Sequence, residues 1–119
     1  MMEIIKKTLT LSEEDYYTTH LSIINPMLPN QLTPKEIEVL GAFMSLKGDI
    51  VSSERFGTSC RKIVKKRLTL SDGGLGNYIK SLKEKGFILL NEEGIMYIPQ
   101  VLFADNDVQG YMFKIVIQK

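Results

Sequence analysis

Arg61, Lys62, Lys65, Lys66 and Arg67 put five cations within seven positions, and Lys80, Lys83 and Lys85 follow a short way on. Cations at that density suit a polyanion, and their chemistry is neutralisation of phosphates, with log K falling by about 0.9 per phosphate per log unit of salt. Between and beside the lysines stand Ser71, Gly73, Gly74, Asn77 and Ser81. Asn77 carries an amide that pairs in bidentate fashion with adenine, and Lys80 an ammonium that reaches guanine, each worth about 1–3 kcal/mol of discrimination. Ser81 and Lys83 add donors along the same segment. Ser71, with the free N–H groups of a helix start, can hold a phosphate oxygen. This is the chemistry of recognition, not of bond breaking.

The charge is localised. Residues 47–85 hold ten basic and four acidic residues, whereas the rest of the chain holds five and ten, so a net +6 and a net −5 hide inside a total of +1. Such a split favours a polyanion on one face.

The remaining candidates carry no convincing chemistry. His20 stands near Tyr16 and Tyr17 without a second His or a catalytic partner, which reads as a core-edge or surface histidine. With one His and one Cys, a four-ligand zinc site is excluded. Asp105-Asn106-Asp107 lacks the closing Glu of a calcium loop and reads as a turn. The glycines at 73, 74 and 76 lack the GK[ST] ending of a phosphate loop. The six Met residues read as core filler. The expectation is therefore no enzyme, no metal and no cofactor. Cys60 is alone, so no intramolecular disulfide forms and a reducing, cytoplasmic location is expected. No apolar run approaches the roughly 20 residues of a membrane span, and the N-terminus, with an acid and alternation, is not a secretory signal.

A length of 119 residues suits a single domain that buries about 65 % of its unfolded surface. Residues 3–11 alternate as a half-buried strand, with Ile5, Leu9 and Leu11 on one face. Ser12 then caps a helix that buries Tyr17, Leu21 and Ile24 and stops at Pro26. A connector, NPMLPNQL, leads to a second capping box at Thr33–Glu36 with Pro34 at the first helical position. Ile37, Leu40, Phe43, Met44 and Lys47 fall on one stripe of that helix, and Gly48-Asp49 ends it. A third helix runs from about Thr58 to Arg67 with Cys60, Ile63 and Val64 inward. The turn LTL reaches a fourth helix, with Leu75, Ile79 and Leu82 as its buried stripe and Gly86 as its left-handed terminator. Its start is open between Ser71 and a cap nearer Gly74, because glycines cost a helix about 1 kcal/mol each relative to Ala. FILL (87–90), a four-residue loop NEEG and IMYI (95–98) read as a β-hairpin, and YMFKIVIQ (111–118) as a last strand.

Helix, helix, helix and hairpin in that order resembles the winged helix-turn-helix superfamily. SDGGLGNYIKSLKEKGFILL is similar to its recognition helix and first wing strand, through a polar cap, Leu75, Asn77, Ile79, Leu82 and then Lys85-Gly86-Phe87-Ile88. MarR-like regulators and replication initiators carry a similar ending. The resemblance covers 33–98 and leaves a strand-and-helix extension (1–32) and a C-terminal loop and strand (99–119) outside it. It implies an α+β fold, a winged helix-turn-helix in a single domain 1–119 with those extra elements. It also implies that the Thr58–Arg67 helix crosses a DNA backbone while the next helix enters the major groove.

The expected function is sequence-specific binding of double-stranded DNA, as a small transcriptional regulator or replication accessory factor of a bacterial or bacteriophage genome. Arg61, Lys62, Lys65, Lys66, Arg67 and Ser71 would hold phosphates. Gly73, Gly74, Asn77, Lys80, Ser81 and Lys83 would face the bases. The hairpin tip, Asn91-Glu92-Glu93-Gly94, is acidic where a DNA-touching wing carries Arg or Lys. That departure keeps a second class open, a protein-interaction module in a larger assembly, such as a phage virion, that does not bind DNA. The terminal strands can pair within one molecule or with a second copy, giving a homodimer. No membrane partner is expected.

Overall fold

Pro34–Met44 forms the helix around which the rest is built. In the computed structural model, which describes residues 13–46 and 54–103, the elements run α1 (Glu13–Ile24), a 3-10 turn (Asn25–Met27), α2 (Pro34–Met44), α3 (Thr58–Leu68), α4 (Asp72–Glu84), β1 (Leu89–Leu90), β2 (Met96–Tyr97) and a second 3-10 turn (Gln100–Leu102). These residues make a small α+β unit with four helices and a two-stranded antiparallel sheet. The expected strands at 3–11 and 111–118, the Ser12 cap, Lys47, the Gly48-Asp49 stop and the Asp105–Asp107 turn lie outside the described residues.

α2 opens as its sequence dictates. Thr33 Oγ1 accepts from the Glu36 N–H, and the Glu36 carboxylate accepts from the Thr33 N–H at 2.8 Å, with Pro34 where no donor is needed. Its burial exceeds the expected stripe: Val39 and Ala42 are buried along with Ile37, Leu40, Phe43 and Met44. α1, α3 and α4 all touch it, so it has almost no solvent face. Each of these side chains larger than Ala42 contributes about 1.5–3 kcal/mol on burial. α1 comes so close that a Cβ at Gly41 would sit 2.8 Å from Thr18 Oγ1 and 3.2 Å from the Thr18 nitrogen.

The end of α2 corrects the sequence reading. The helix stops at Met44, with Ser45 as C-cap, before the expected Gly48-Asp49. Arg55 explains the stop: its Nη1 donates to the carbonyls of Phe43 (2.7 Å) and Leu46 (3.2 Å), supplying a cation where the helix dipole is negative. The same guanidinium lies 5.2 Å from the centre of the Phe103 ring.

α1 buries Leu21 fully, with Tyr17 and Ile24 packed against the core as expected. His20 is buried too, and its Nε2 donates to Leu102 O at 2.8 Å while its ring stacks on Tyr16. It ties the C-terminal 3-10 turn to α1 and serves structure, in keeping with the core-edge reading. The connector is fixed by Asn25, whose side chain bonds both the N–H (2.7 Å) and the carbonyl (3.0 Å) of Leu32.

The hairpin pairs Leu89 with Tyr97 and Leu90 with Met96. Its strands are shorter than expected, and the loop between them is closed by its own bonds: the Asn91 N–H donates to Ile95 O, the Gly94 N–H donates to Asn91 O, and Gly94 takes φ +80. A turn followed by a left-handed glycine matches the twist of the strands. Asn91 Oδ1 completes it by accepting from the Glu93 and Ile95 N–H groups. Phe87, Ile88 and Ile98 root the hairpin in the core, while Leu89, Leu90 and Tyr97 are exposed. Among the described residues no helix is long and apolar enough to cross a membrane.

Candidate functional site

α3 and α4 are joined by the turn Thr69–Ser71, and the cations cluster around that turn. α3 buries Cys60 and Val64, with Ile63 half-buried, and this fixes which way its other side chains face. Burial also pushes the Cys60 thiol pKa up, so it stays protonated and unreactive. The helix ends at Leu68 because Thr69 adopts φ 55, ψ 55, a left-handed conformation unusual for a β-branched residue. The Leu70 N–H then reaches back to Lys65 O at 2.9 Å.

Ser71 is the N-cap of α4. Its Oγ accepts from the Gly74 N–H at 3.0 Å, which decides the start of the helix in favour of Ser71. Leu75, Ile79 and Leu82 form the buried stripe, so Gly73, Asn77, Lys80 and Glu84 lie along the opposite, outward stripe, with Lys83 exposed on its flank. Gly74 is half-buried beside the cap. At the far end Gly86 takes φ +87, with the Phe87 N–H on Leu82 O and the Gly86 N–H on Lys83 O, the paired bonds of a Schellman motif.

The five cations of α3 do not act as one patch. Lys62 and Lys66 are exposed, one turn apart, and make no ion pair among the described residues. They line an open cleft of about 760 Å³ together with Lys65, Thr69, Leu70, Ser71 and Asp72. Lys65 is paired with the Asp72 carboxylate, and that bond holds the Asp72 pKa below the ordinary value. Arg61 and Arg67 each have a partner within the chain. Arg61 is half-buried, and its Nε donates to Phe56 O at 2.7 Å. Arg67 Nη1 donates to Ser45 Oγ at 2.9 Å, and the residue lines a separate pocket of about 280 Å³ with Asp15 and Glu38.

Ser81 is placed differently from Asn77 and Lys80. Its Oγ–H donates to Glu36 Oε2, so it points into the α2–α4 contact and away from the outward stripe. Lys85 converges on the same carboxylate, with Nζ 2.6 Å from Glu36 Oε1 and 3.0 Å from Gln31 O. Burial alone would push the Glu36 pKa up, yet the bonds from Lys85, Ser81 and Thr33 pull it down to about 2. This network fixes the angle at which α4 leaves α2. Thr69, Leu70 and Asp72 line the cleft without having been assigned to the site from the sequence. The available signal was the placement of an acid directly after the cap and seven residues beyond Lys65.

Among the described residues no group of three or more His, Cys, Asp or Glu could hold a metal ion. Compared with protein families, curated proteins and solved structures, the chain has no match in any of the three.

Proposed function

We propose that this is a winged helix-turn-helix protein that binds double-stranded DNA with sequence preference, as a small transcriptional regulator or replication accessory factor. The observation that carries the reading is the pairing of an open lysine cleft with a donor-bearing stripe on the next helix. Lys62 and Lys66 stand at the cleft formed by α3 and the start of α4, and Asn77 and Lys80 face outward on α4. Lys62, Lys66, the Ser71 region and the unbonded N–H groups of the first turn of α4 would hold phosphates. Asn77 and Lys80 would meet base edges, flanked by Lys83. Gly73 and Gly76 support a close approach: a Cβ at either would touch nothing, so neither packing nor a left-handed φ accounts for them.

Titration of a random-sequence duplex at several salt concentrations tests the reading. Sub-micromolar binding with a steep salt slope, lost in Lys62→Glu/Lys66→Glu, is the expected result, and no binding at low salt would remove it. Asn77→Ala should relax sequence preference while sparing non-specific affinity.

The hairpin favours a second reading, a protein-interaction module within a larger assembly. Glu92 and Glu93 are exposed at its tip and Leu89, Leu90 and Tyr97 along its strands, a surface that phosphates repel and another protein can cover. Absence of DNA binding at low salt, with a protein complex lost in Leu90→Asp, is the outcome that reading expects.

A further inference from the structure

The cleft at the α3–α4 turn already holds an anion. Asp72 is the first residue of α4, its side chain is 88 % exposed, and its carboxylate is bonded across the turn to Lys65 Nζ, whose side chain is only 25 % exposed. Lys62 and Lys66 flank this pair and have no such partner among the described residues. We infer that Asp72 is the resident counter-anion of the cleft, occupying beside Lys65 the place that a backbone phosphate of a bound duplex takes. The inference rests on the DNA-binding reading above and adds to it a competing group within the chain.

The exchange is chemically balanced. A phosphodiester oxygen and a carboxylate oxygen each carry one negative charge shared over two atoms, and either accepts from an ammonium. When the phosphate arrives, the Asp72 carboxylate swings into water, which its exposed position already allows. It remains at the positive end of α4, where a free acid is stabilised. The Gly74 N–H is taken by Ser71 Oγ, but those of Asp72 and Gly73 have no intrahelical acceptor and remain open to the incoming oxygen. Lys65 therefore contributes to binding only the difference between two anions, whereas Lys62 and Lys66 contribute in full. Sequence-independent affinity is held down while base contacts along α4 are untouched, which raises the ratio of specific to non-specific binding.

A double-mutant cycle in the full chain reads this directly. The wild type, Asp72→Asn, Lys65→Ala and the double variant are titrated with a random-sequence duplex over a range of salt, with circular dichroism confirming that each is folded. Asp72→Asn is expected to bind about three- to ten-fold more tightly near 0.1 M salt, with a salt slope steeper by about 0.9, the increment for one further phosphate. Lys65→Ala should then cost that whole factor in the Asp72→Asn background but less than about two-fold in the wild type, the non-additivity that marks a shared partner. Equal losses in both backgrounds, or an unchanged slope in Asp72→Asn, would overturn the inference while leaving the DNA-binding reading intact. Failure of all four proteins to bind duplex at low salt would instead overturn that reading, and the inference with it.

Discussion

Lys85 Nζ lies 2.6 Å from Glu36 Oε1, joining the residue that terminates α4 to the first turn of α2. Glu36 is buried and Lys85 only partly so. Removing the lysine leaves a carboxylate in the interior with Ser81 and Thr33 as its remaining partners. Lys85→Met should therefore destabilise the fold by about 2–3 kcal/mol, measured by urea denaturation. Glu36→Gln/Lys85→Met should lose clearly less than the sum of the two single losses. Additive losses would show that the two groups are not coupled.

The same carboxylate sets a pH dependence. Its pKa is about 2 in the folded chain against 4.5 without the fold, so the native state favours the charged form. The stabilisation is complete above pH 4.5 and disappears as pH falls from 4.5 towards 2. A shift of that size corresponds to about 3 kcal/mol. Stability measured across the window should fall steeply in the wild type and much less in Glu36→Gln. Parallel curves for the two proteins would contradict it.

Thr69 holds φ 55 with a branched Cβ, a strained conformation that lets α3 turn into α4 within three residues. Glycine relieves the clash, partly offset by its greater freedom in the unfolded chain. Thr69→Gly should raise stability by about 0.5–1 kcal/mol, seen as a Tm higher by a few degrees. A lower Tm would mean that the threonine side chain makes a stabilising contact at the turn.

The same substitution at two glycines should act in opposite directions. Gly76→Ala adds a methyl into open space inside a helix and should stabilise by about 1 kcal/mol. Gly41→Ala drives a methyl into Thr18, including its backbone nitrogen, and should destabilise by about 1–3 kcal/mol. Thermal denaturation of both variants checks the pair. If Gly76 is retained for close approach of a duplex, the stabilised variant will also bind DNA more weakly.

Sequence reading succeeded where the cause was local. The Thr33–Glu36 capping box, the left-handed Gly86 and the Leu75, Ile79 and Leu82 stripe each depend on a few neighbouring residues, whereas the start of α4, open in the sequence, is settled by the Ser71 Oγ bond to the Gly74 N–H. It failed where a long side chain was captured from far away. Lys85 reads as one more surface cation, yet its partner is 49 positions distant. Ser81 looks exposed by type but turns to the same acid, and Arg55 bonds the end of α2 from 12 positions further along the chain. Periodicity alone places the lysines and arginines of α3 together. Only the packed helices separate the open Lys62 and Lys66 from Arg61 and Arg67, whose guanidinium groups serve the fold.

α2 is gripped at both ends by side chains from other segments, Lys85 through Glu36 at its start and Arg55 at its last carbonyls. A helix terminated in this way does not fray, so its amide hydrogens exchange with solvent only when the domain opens as a whole. The first turns of α4, with bare glycines and an exposed cap, should open locally and exchange sooner. Hydrogen exchange should therefore separate a slow α2 from a faster start of α4, two helices in direct contact.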